Sequence, residues 1–220
     1  MYFSKAVDAD FFKTWNSDMA YILGFLYADG NVTKNTRGGE YLSFYSADRG
    51  ILADMRKKMK SKHKLSKRST LTGCVYRIQI GSKEIVSDLS KIGLRETKVY
   101  RMQFPSVPKE YIPDFIRGFF DGDGNVWVGR THVNRIRTTI GIQAAFTSAS
   151  REFLSELHIE LRRLGIQGGS LFKIKGKQCG RLCLSIKDSL KLYEIMYNAS
   201  TSLFLNRKKL VFEKYRKMQS

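Results

Sequence analysis

Residues 21–30 read YILGFLYADG, and residues 115–124 read FIRGFFDGDG. Each decamer is largely apolar, has glycine at its fourth place and an aromatic at its fifth, and closes on Asp-Gly. Asn-Val follows both times, as Asn31-Val32 and Asn125-Val126. The pattern predicts two helices of one kind that each finish on a carboxylate. That is an unfavourable place for an anion, because the C-terminus of a helix already carries partial negative charge. Such a placement calls for a functional reason.

Further echoes surround the decamers. SFYSADRGIL at 43–52 matches AFTSASREFL at 145–154, and RIQIGSKE at 77–84 matches RLCLSIKD at 181–188. The offset between copies grows after the second decamer, which places an insertion between Asn125 and Ala145, around RTHVNRIR. A period of about a hundred residues means two copies of one domain and not a solenoid. Each copy reads as helix, hairpin, helix, hairpin, helix. Ser17 with Asp18, and Pro113 with Asp114, suit helix starts. After each decamer Gly-Asn-Val breaks the helix and alternating segments begin. In VYRIQI, Val75, Arg77 and Gln79 share one face and Tyr76, Ile78 and Ile80 the other. In LFKIKGK, Phe172 and Ile174 are expected inward, with Lys173 and Lys175 outward. In RIRTTIGIQ, Ile136, Ile140 and Ile142 oppose Arg137 and Gln143. These are half-buried antiparallel strands with one apolar and one cationic face. All three prolines fall within 99–113. The expected division is a first domain at 1–104, a linker at 105–112 and a second domain at 113–220.

The 220 residues include 39 Lys and Arg against 20 Asp and Glu, a net charge of +19. The halves on either side of Tyr111 share this excess almost evenly, so it is not a basic tail on a neutral domain. A polyanionic partner follows, nucleic acid before an acidic membrane surface. No apolar run is long enough to span a bilayer, and no amphipathic anchor is visible. MYFSKAVDADFF is not a secretory signal, so the expected setting is intracellular, cytoplasmic or organellar. Cys74, Cys179 and Cys183 form no CxxC pair, and His63, His132 and His158 are scattered, so the thiols read as reduced and structural rather than as a zinc site.

On a helix, Gly24 and Gly118 let another backbone approach closely. If the two decamer helices cross through these glycines, Asp29 and Asp123 meet at a pseudo-twofold axis. They would repel unless a divalent cation sat between them. DGDGNV does not begin an EF-hand loop, because Val126 and His132 stand where that loop needs Gly and Glu.

The twin decamers resemble the signature of LAGLIDADG homing endonucleases in their single-chain, two-motif form, and the likeness extends along nearly the whole chain to LFLNRKKLVFEKY at 203–215. The resemblance implies an α+β fold of two pseudo-symmetric αββαββα domains packed through their motif helices, with a saddle of β-strands for DNA. It also implies Mg²⁺-dependent double-strand cleavage at a long target. The family's metal ligand is the last acid of each motif, here Asp29 and Asp123, with the backbone of Ala28 and Gly122 as further candidates. Its earlier acid is matched by Asp121 in the second copy, whereas Tyr27 replaces it in the first. The family's late basic residue falls on Lys98 in RETKVY and on Lys208 in LNRKKLVF, with Lys209 as the competitor.

Hydrolysis of a phosphodiester needs an activated water and relief of charge on the leaving oxygen, which metals and nearby lysines supply. DNA reading would fall to the cationic strands, since a β-ribbon enters the major groove. The candidates in the first copy are Lys34, Asn35, Arg37, Lys67, Arg68, Arg77 and Gln79. In the second they are Arg130, Asn134, Arg135, Arg137, Gln143, Lys173, Lys175, Lys177 and Arg181. The reading is a monomeric endonuclease for a long, pseudo-symmetric duplex, encoded in an intron or free-standing. An intein is set aside, because the chain has no room for a splicing domain. The alternative is a catalytically silent RNA maturase or DNA-binding regulator on the same scaffold.

Overall fold

The structure is a computed structural model and describes residues 6–71, 73–94, 102–131, 139–198 and 202–219. Two repeats follow one another. The first runs α1 (Ser17–Asp29), β1 (Gly30–Lys34), β2 (Glu40–Ser46), α2 (Arg49–Lys58), β3 (Leu65–Thr70), β4 (Gly73–Gly81) and α3 (Lys83–Lys91). The second runs α4 (Ile112–Asp123), β5 (Gly124–Thr131), β6 (Thr139–Ser148), α5 (Arg151–Arg163), β7 (Ser170–Lys173), β8 (Gly180–Cys183) and α6 (Ile186–Tyr197), and α7 (Asn206–Gln219) closes the chain. This is the expected αββαββα order, twice. Both antiparallel sheets have the same strand order, β1-β2-β4-β3 and β5-β6-β8-β7.

The chain separates into two compact units whose borders follow packing rather than the repeat. The first contains the described residues of Met1–Lys98, Pro105–Gly122 and Thr201–Phe204; the second those of Val99–Phe104, Asp123–Ser200 and Leu205–Ser220. Both decamer helices, up to Gly122, therefore lie in the first unit.

In the first unit Leu42, Phe44, Ile78 and Ile80 form the buried side of the sheet. Helix α2 covers it with Ile51, Leu52 and Met55, and α3 with Ile85 and Leu89. Every residue of α1 from Met19 to Tyr27 is buried, so no polar face survives on that helix, as expected of a helix enclosed on all sides. Its cap is Asn16, one residue before the expected start; the Asn16 side chain accepts the Met19 N–H at 2.9 Å. In the second unit Ile142, Ala144, Phe146 and Leu182 face Phe153, Leu154, Leu157 and Leu161 of α5, with Leu192 and Met196 of α6 and Phe212 of α7 completing the core. Serines cap α3, α5 and α6: Ser82, Ser150 and Ser185 each accept an N–H in the first turn.

One strand face differs from the sequence expectation. Phe172 is exposed and Leu171 is half-buried, because β7 pairs with β8 in the register Leu171↔Leu182 and Phe172↔Arg181. Leu182 belongs to the core, so its partner Leu171 does too, and Phe172 falls on the open face with Arg181. Two adjacent apolar residues left the phase of the alternation undetermined, and pairing fixed it. Ile140 has the parity of Ile142 but is 51% exposed.

Candidate metal centre and nucleic-acid interface

Within the first unit, α1 and α4 touch backbone to backbone. A Cβ built on Gly24 would stand 2.1 Å from the Phe115 carbonyl oxygen, and one on Gly118 would stand 2.0 Å from that of Tyr21. Further along, a Cβ on Gly122 would fall 2.2 Å from the Ala28 Cβ and 3.4 Å from the Asp29 nitrogen. The contacts advance together along both helices, so the helices run in the same direction. No side chain other than hydrogen fits at Gly24 or Gly118. The contact reaches Ala28 and Gly122, each one residue before an acid. Asp29 ends α1 half-buried, and Asp123 ends α4 exposed. Neither helix closes on a left-handed residue: Gly30 is extended, at φ −120°, and starts β1 directly, so each acid lies at a helix-to-strand corner.

Two residues upstream of each terminal acid, the pairing across the helices differs between the copies. Tyr27 packs edge-on against Phe115 with ring centroids 5.4 Å apart, and burial raises its hydroxyl pKa well above the ordinary tyrosine value. At the matched place in the other helix the buried Asp121 accepts a hydrogen bond from the Tyr21 hydroxyl at 2.7 Å. The copies have thus exchanged a Tyr–Phe contact for an Asp–Tyr one. Tyr21 and Phe115 occupy the same place in their decamers, so the extra hydroxyl sits opposite the extra acid. This accounts for the departure at Tyr27 as a packing choice.

Arg117, at the place of Leu23 in the first decamer, is 2% exposed. Its Nε donates to the Leu203 carbonyl at 2.9 Å, its Nη2 donates to Asp114 Oδ1 at 2.6 Å, and its guanidinium lies 5.3 Å from the centre of the Tyr21 ring. These bonds tie the segment 202–204 to α4. Sequence reading missed this network; the signal was an arginine inside an otherwise apolar decamer. Arg117→Leu, which copies the first repeat, leaves Asp114 and the Leu203 carbonyl without this donor and is expected to cost about 3–5 kcal/mol. Urea unfolding of this variant and of Asp114→Ala with Arg117→Leu checks it. The double variant should recover part of the loss.

In the second unit, Lys208 is 6% exposed and its ammonium donates to the Gly124 carbonyl at 2.6 Å, one residue past Asp123. Its competitor Lys209 turns elsewhere, with Nζ 3.8 Å from Glu213 and 5.5 Å from the centre of the Tyr197 ring. Lys98 lies outside the described residues, as do Asn134, Arg135 and Arg137. Among the described residues no three His, Cys, Asp or Glu side chains gather into a metal cluster, and no helix is long and apolar enough to cross a membrane.

Of the strand candidates, Arg68, Arg77 and Gln79 share the open face of the first sheet, and Gln143 and Arg181 that of the second. Arg77 and Arg181 occupy matched places in the repeats, and in each the buried Nε has no hydrogen-bond acceptor among the described residues. Lys67, Arg37, Arg130, Lys173, Lys175 and Lys177 are exposed on strands and turns. Two candidates have local work. Asn35 Oδ1 accepts the Arg37 and Gly39 N–H groups and so holds the β1–β2 turn, and Lys34 pairs with Glu40 at 3.2 Å.

Residues 110–194, which include the second decamer, match the family model of the LAGLIDADG-like domain, in keeping with the resemblance read from the sequence. The fold is that of LAGLIDADG homing endonucleases. I-SmaMI, solved bound to cleaved DNA, superposes with a TM-score of 0.65 at 12% identity, covering 93% of this chain and 89% of that one. I-AabMI, bound to uncleaved DNA, gives 0.65 at 11% identity over 93% and 92%. Variants of I-DmoI give 0.59 at 13% identity over 86% and 95%. Among curated proteins, elongation factor 2 of Methanopyrus kandleri is 28% identical over 155 residues, 68% of this chain and 11% of that protein. The replication factor C small subunit of Methanocaldococcus jannaschii is 25% identical over 156 residues, 69% of this chain and 8% of that protein. The chain thus spans about a tenth of the length of the curated relatives it matches.

Proposed function

We propose that this chain is a site-specific DNA endonuclease that makes metal-dependent double-strand breaks at a long, asymmetric target. The observation that carries the reading is the glycine contact between α1 and α4, which continues to the residue before Asp29 and the residue before Asp123. A chain that needed only helix packing would have no use for an acid at both corners. The donors available there are hard oxygens, the two carboxylates and the last helix carbonyls, including those of Ala28 and Gly122. That set suits Mg²⁺ and not a thiolate-seeking metal. When bound, the metal supplies an activated water and relief of charge on the leaving oxygen. Asp29 and Asp123 would hold it, and Lys208, bonded to the Gly124 carbonyl beside Asp123, would add positive charge near the scissile phosphate. Lys98 is its counterpart in the first copy.

The open sheet faces bind the duplex. The Nε atoms of Arg77 and Arg181, which have no acceptor among the described residues, support this, because a buried donor without a partner costs free energy that a phosphate or base acceptor would relieve. Both motifs sit in one chain, so the active species is a monomer, working inside the cell. Similarity to segments within two much longer archaeal proteins supports a module that moves between hosts, and weighs against the sequence argument that set an intein aside. A silent maturase or regulator gains nothing from two carboxylates set against phosphate.

The test is incubation of the purified chain with a random duplex library and Mg²⁺, followed by sequencing of cut ends. A recurrent, asymmetric site is expected; binding without cutting would return the silent scaffold. On the recovered duplex, affinity should fall with salt by a log–log slope of about −0.9 per phosphate contact. Lys173→Ala or Lys175→Ala should each reduce that slope by roughly one.

A further inference from the structure

The open face of the second sheet carries a feature absent from the first. Trp127 on β5 is 48% exposed, although Val128 beside it turns toward the core and hydrophobic covering helices are available. Its indole lies against its own strand. A Cβ on Gly129 would stand 2.2 Å from Trp127 Cζ2 and 2.8 Å from Cε2 and Cη2, so the ring occupies the space that a side chain two residues on would fill. Glycine at 129 therefore lets a large aromatic lie flat on the strand with its outer surface in solvent, at a site where strand glycine is otherwise a weakness. Directly across from Trp127 stands the exposed Gln143 of β6. Arg181 lies on the same face, opposite Thr147, four residues further along β6.

The matched pair in the first sheet is Thr33 opposite Tyr41, with Thr33 exposed. An apolar platform next to an amide is thus particular to the second unit. Resting on the DNA-binding reading above, we infer that Trp127 and Gln143 form a specificity pair for an A·T base pair in the major groove. The indole packs on the thymine C5-methyl, and the Gln143 amide bonds N6 and N7 of the adenine. The chemistry on each side fits. Thymine alone offers a methyl group on the groove floor, and adenine's donor–acceptor edge is what a glutamine amide matches. Opposite residues on neighbouring strands have Cβ atoms about 5 Å apart, close enough to address one base pair. The charge of the surrounding face makes a duplex, rather than an apolar protein, the occupant. The half-site under the second unit should accordingly demand an A·T pair that the half-site under the first does not.

The experiment uses the full chain and the duplex recovered from the library selection. Each thymidine of that duplex is replaced in turn by deoxyuridine, which lacks only the methyl. At one position in one half-site the wild-type chain should lose about three- to five-fold in affinity, the worth of one buried methyl. Trp127→Thr should be indifferent to the same replacement. The two tryptophans allow a second readout, because Trp15 is stacked on Tyr111 with centroids 6.3 Å apart and is removable as Trp15→Phe. In that variant, emission from Trp127 should change when duplex is added. Gly129→Ala, which displaces the ring, should mimic Trp127→Thr. Duplex binding with unchanged Trp127 emission, or with no deoxyuridine position that separates wild type from Trp127→Thr, overturns the pair and leaves the proposed function standing. Failure to bind any duplex overturns both.

Discussion

Replacing Gly118 by alanine is expected to destabilise the chain by about 3 kcal/mol, and Gly24→Ala by a similar amount, at the upper end of what overpacking costs. The sign is not obvious beforehand, because alanine in a helix interior is otherwise favoured over glycine by about 1 kcal/mol. What reverses it is the nature of the obstacle. The new methyl would stand 2.0 Å from the Tyr21 carbonyl oxygen and 2.9 Å from the Phe25 nitrogen. Both are backbone atoms of a helix buried on all sides, so no side chain can swing away. The helices would have to separate, and dispersion contacts would be lost along the whole pair, because interiors are too closely packed to absorb the shift locally. Gly50→Ala in α2 is the control. Nothing stands within 4 Å of a Cβ there, so that variant should be neutral or slightly stabilised. Denaturant unfolding of the three variants checks the prediction, and a Gly118→Ala chain as stable as wild type would contradict the helix contact.

Much of this fold was legible in the residues because the same pattern is written twice. A glycine four places into an apolar decamer has many explanations when it stands alone, but Gly24 and Gly118 at matched places have few. The acids at the helix ends were legible for the same reason. The face of β7 was not, because Leu171 and Phe172 are adjacent and apolar, and only pairing with Leu182 and Arg181 selects one as core. Arg117 was invisible as a buried residue because its partners, Asp114 and the Leu203 carbonyl, come from its own first turn and from a segment 86 residues away. Asn35, a DNA-binding candidate, also holds a turn, which was not legible because the type of an amide does not reveal which backbone groups it meets. Trp127 passed unremarked because exposure of a strand aromatic depends on which neighbours cover it, here a glycine two residues on.

Asp29→Asn and Asp123→Asn are each expected to abolish double-strand cleavage, with a loss of about a thousand-fold or more. Asparagine keeps the shape of the side chain and removes the charged oxygen that a hard cation requires. The lost metal contribution of several kcal/mol at the transition state corresponds to that factor in rate. Folding should be little affected, because Asp29 is only half-buried and Asp123 is exposed, and removal of an anion from a helix C-terminus is favourable. Binding of the duplex should be retained or strengthened, since one repulsion between carboxylate and phosphate disappears while the strand faces are unchanged. The two nearby residues that the family pattern might confuse with ligands behave differently. Asp121 is buried against the Tyr21 hydroxyl, and Tyr27 against Phe115, so Asp121→Asn and Tyr27→Phe should still cut measurably. The deciding measurement is the rate of double-strand cleavage of the recovered duplex by wild type and these four variants in Mg²⁺, beside their gel-shift affinities. Binding by all five is expected, with cutting by wild type, Asp121→Asn and Tyr27→Phe and none by Asp29→Asn or Asp123→Asn. Robust cutting by either of those last two would contradict that expectation.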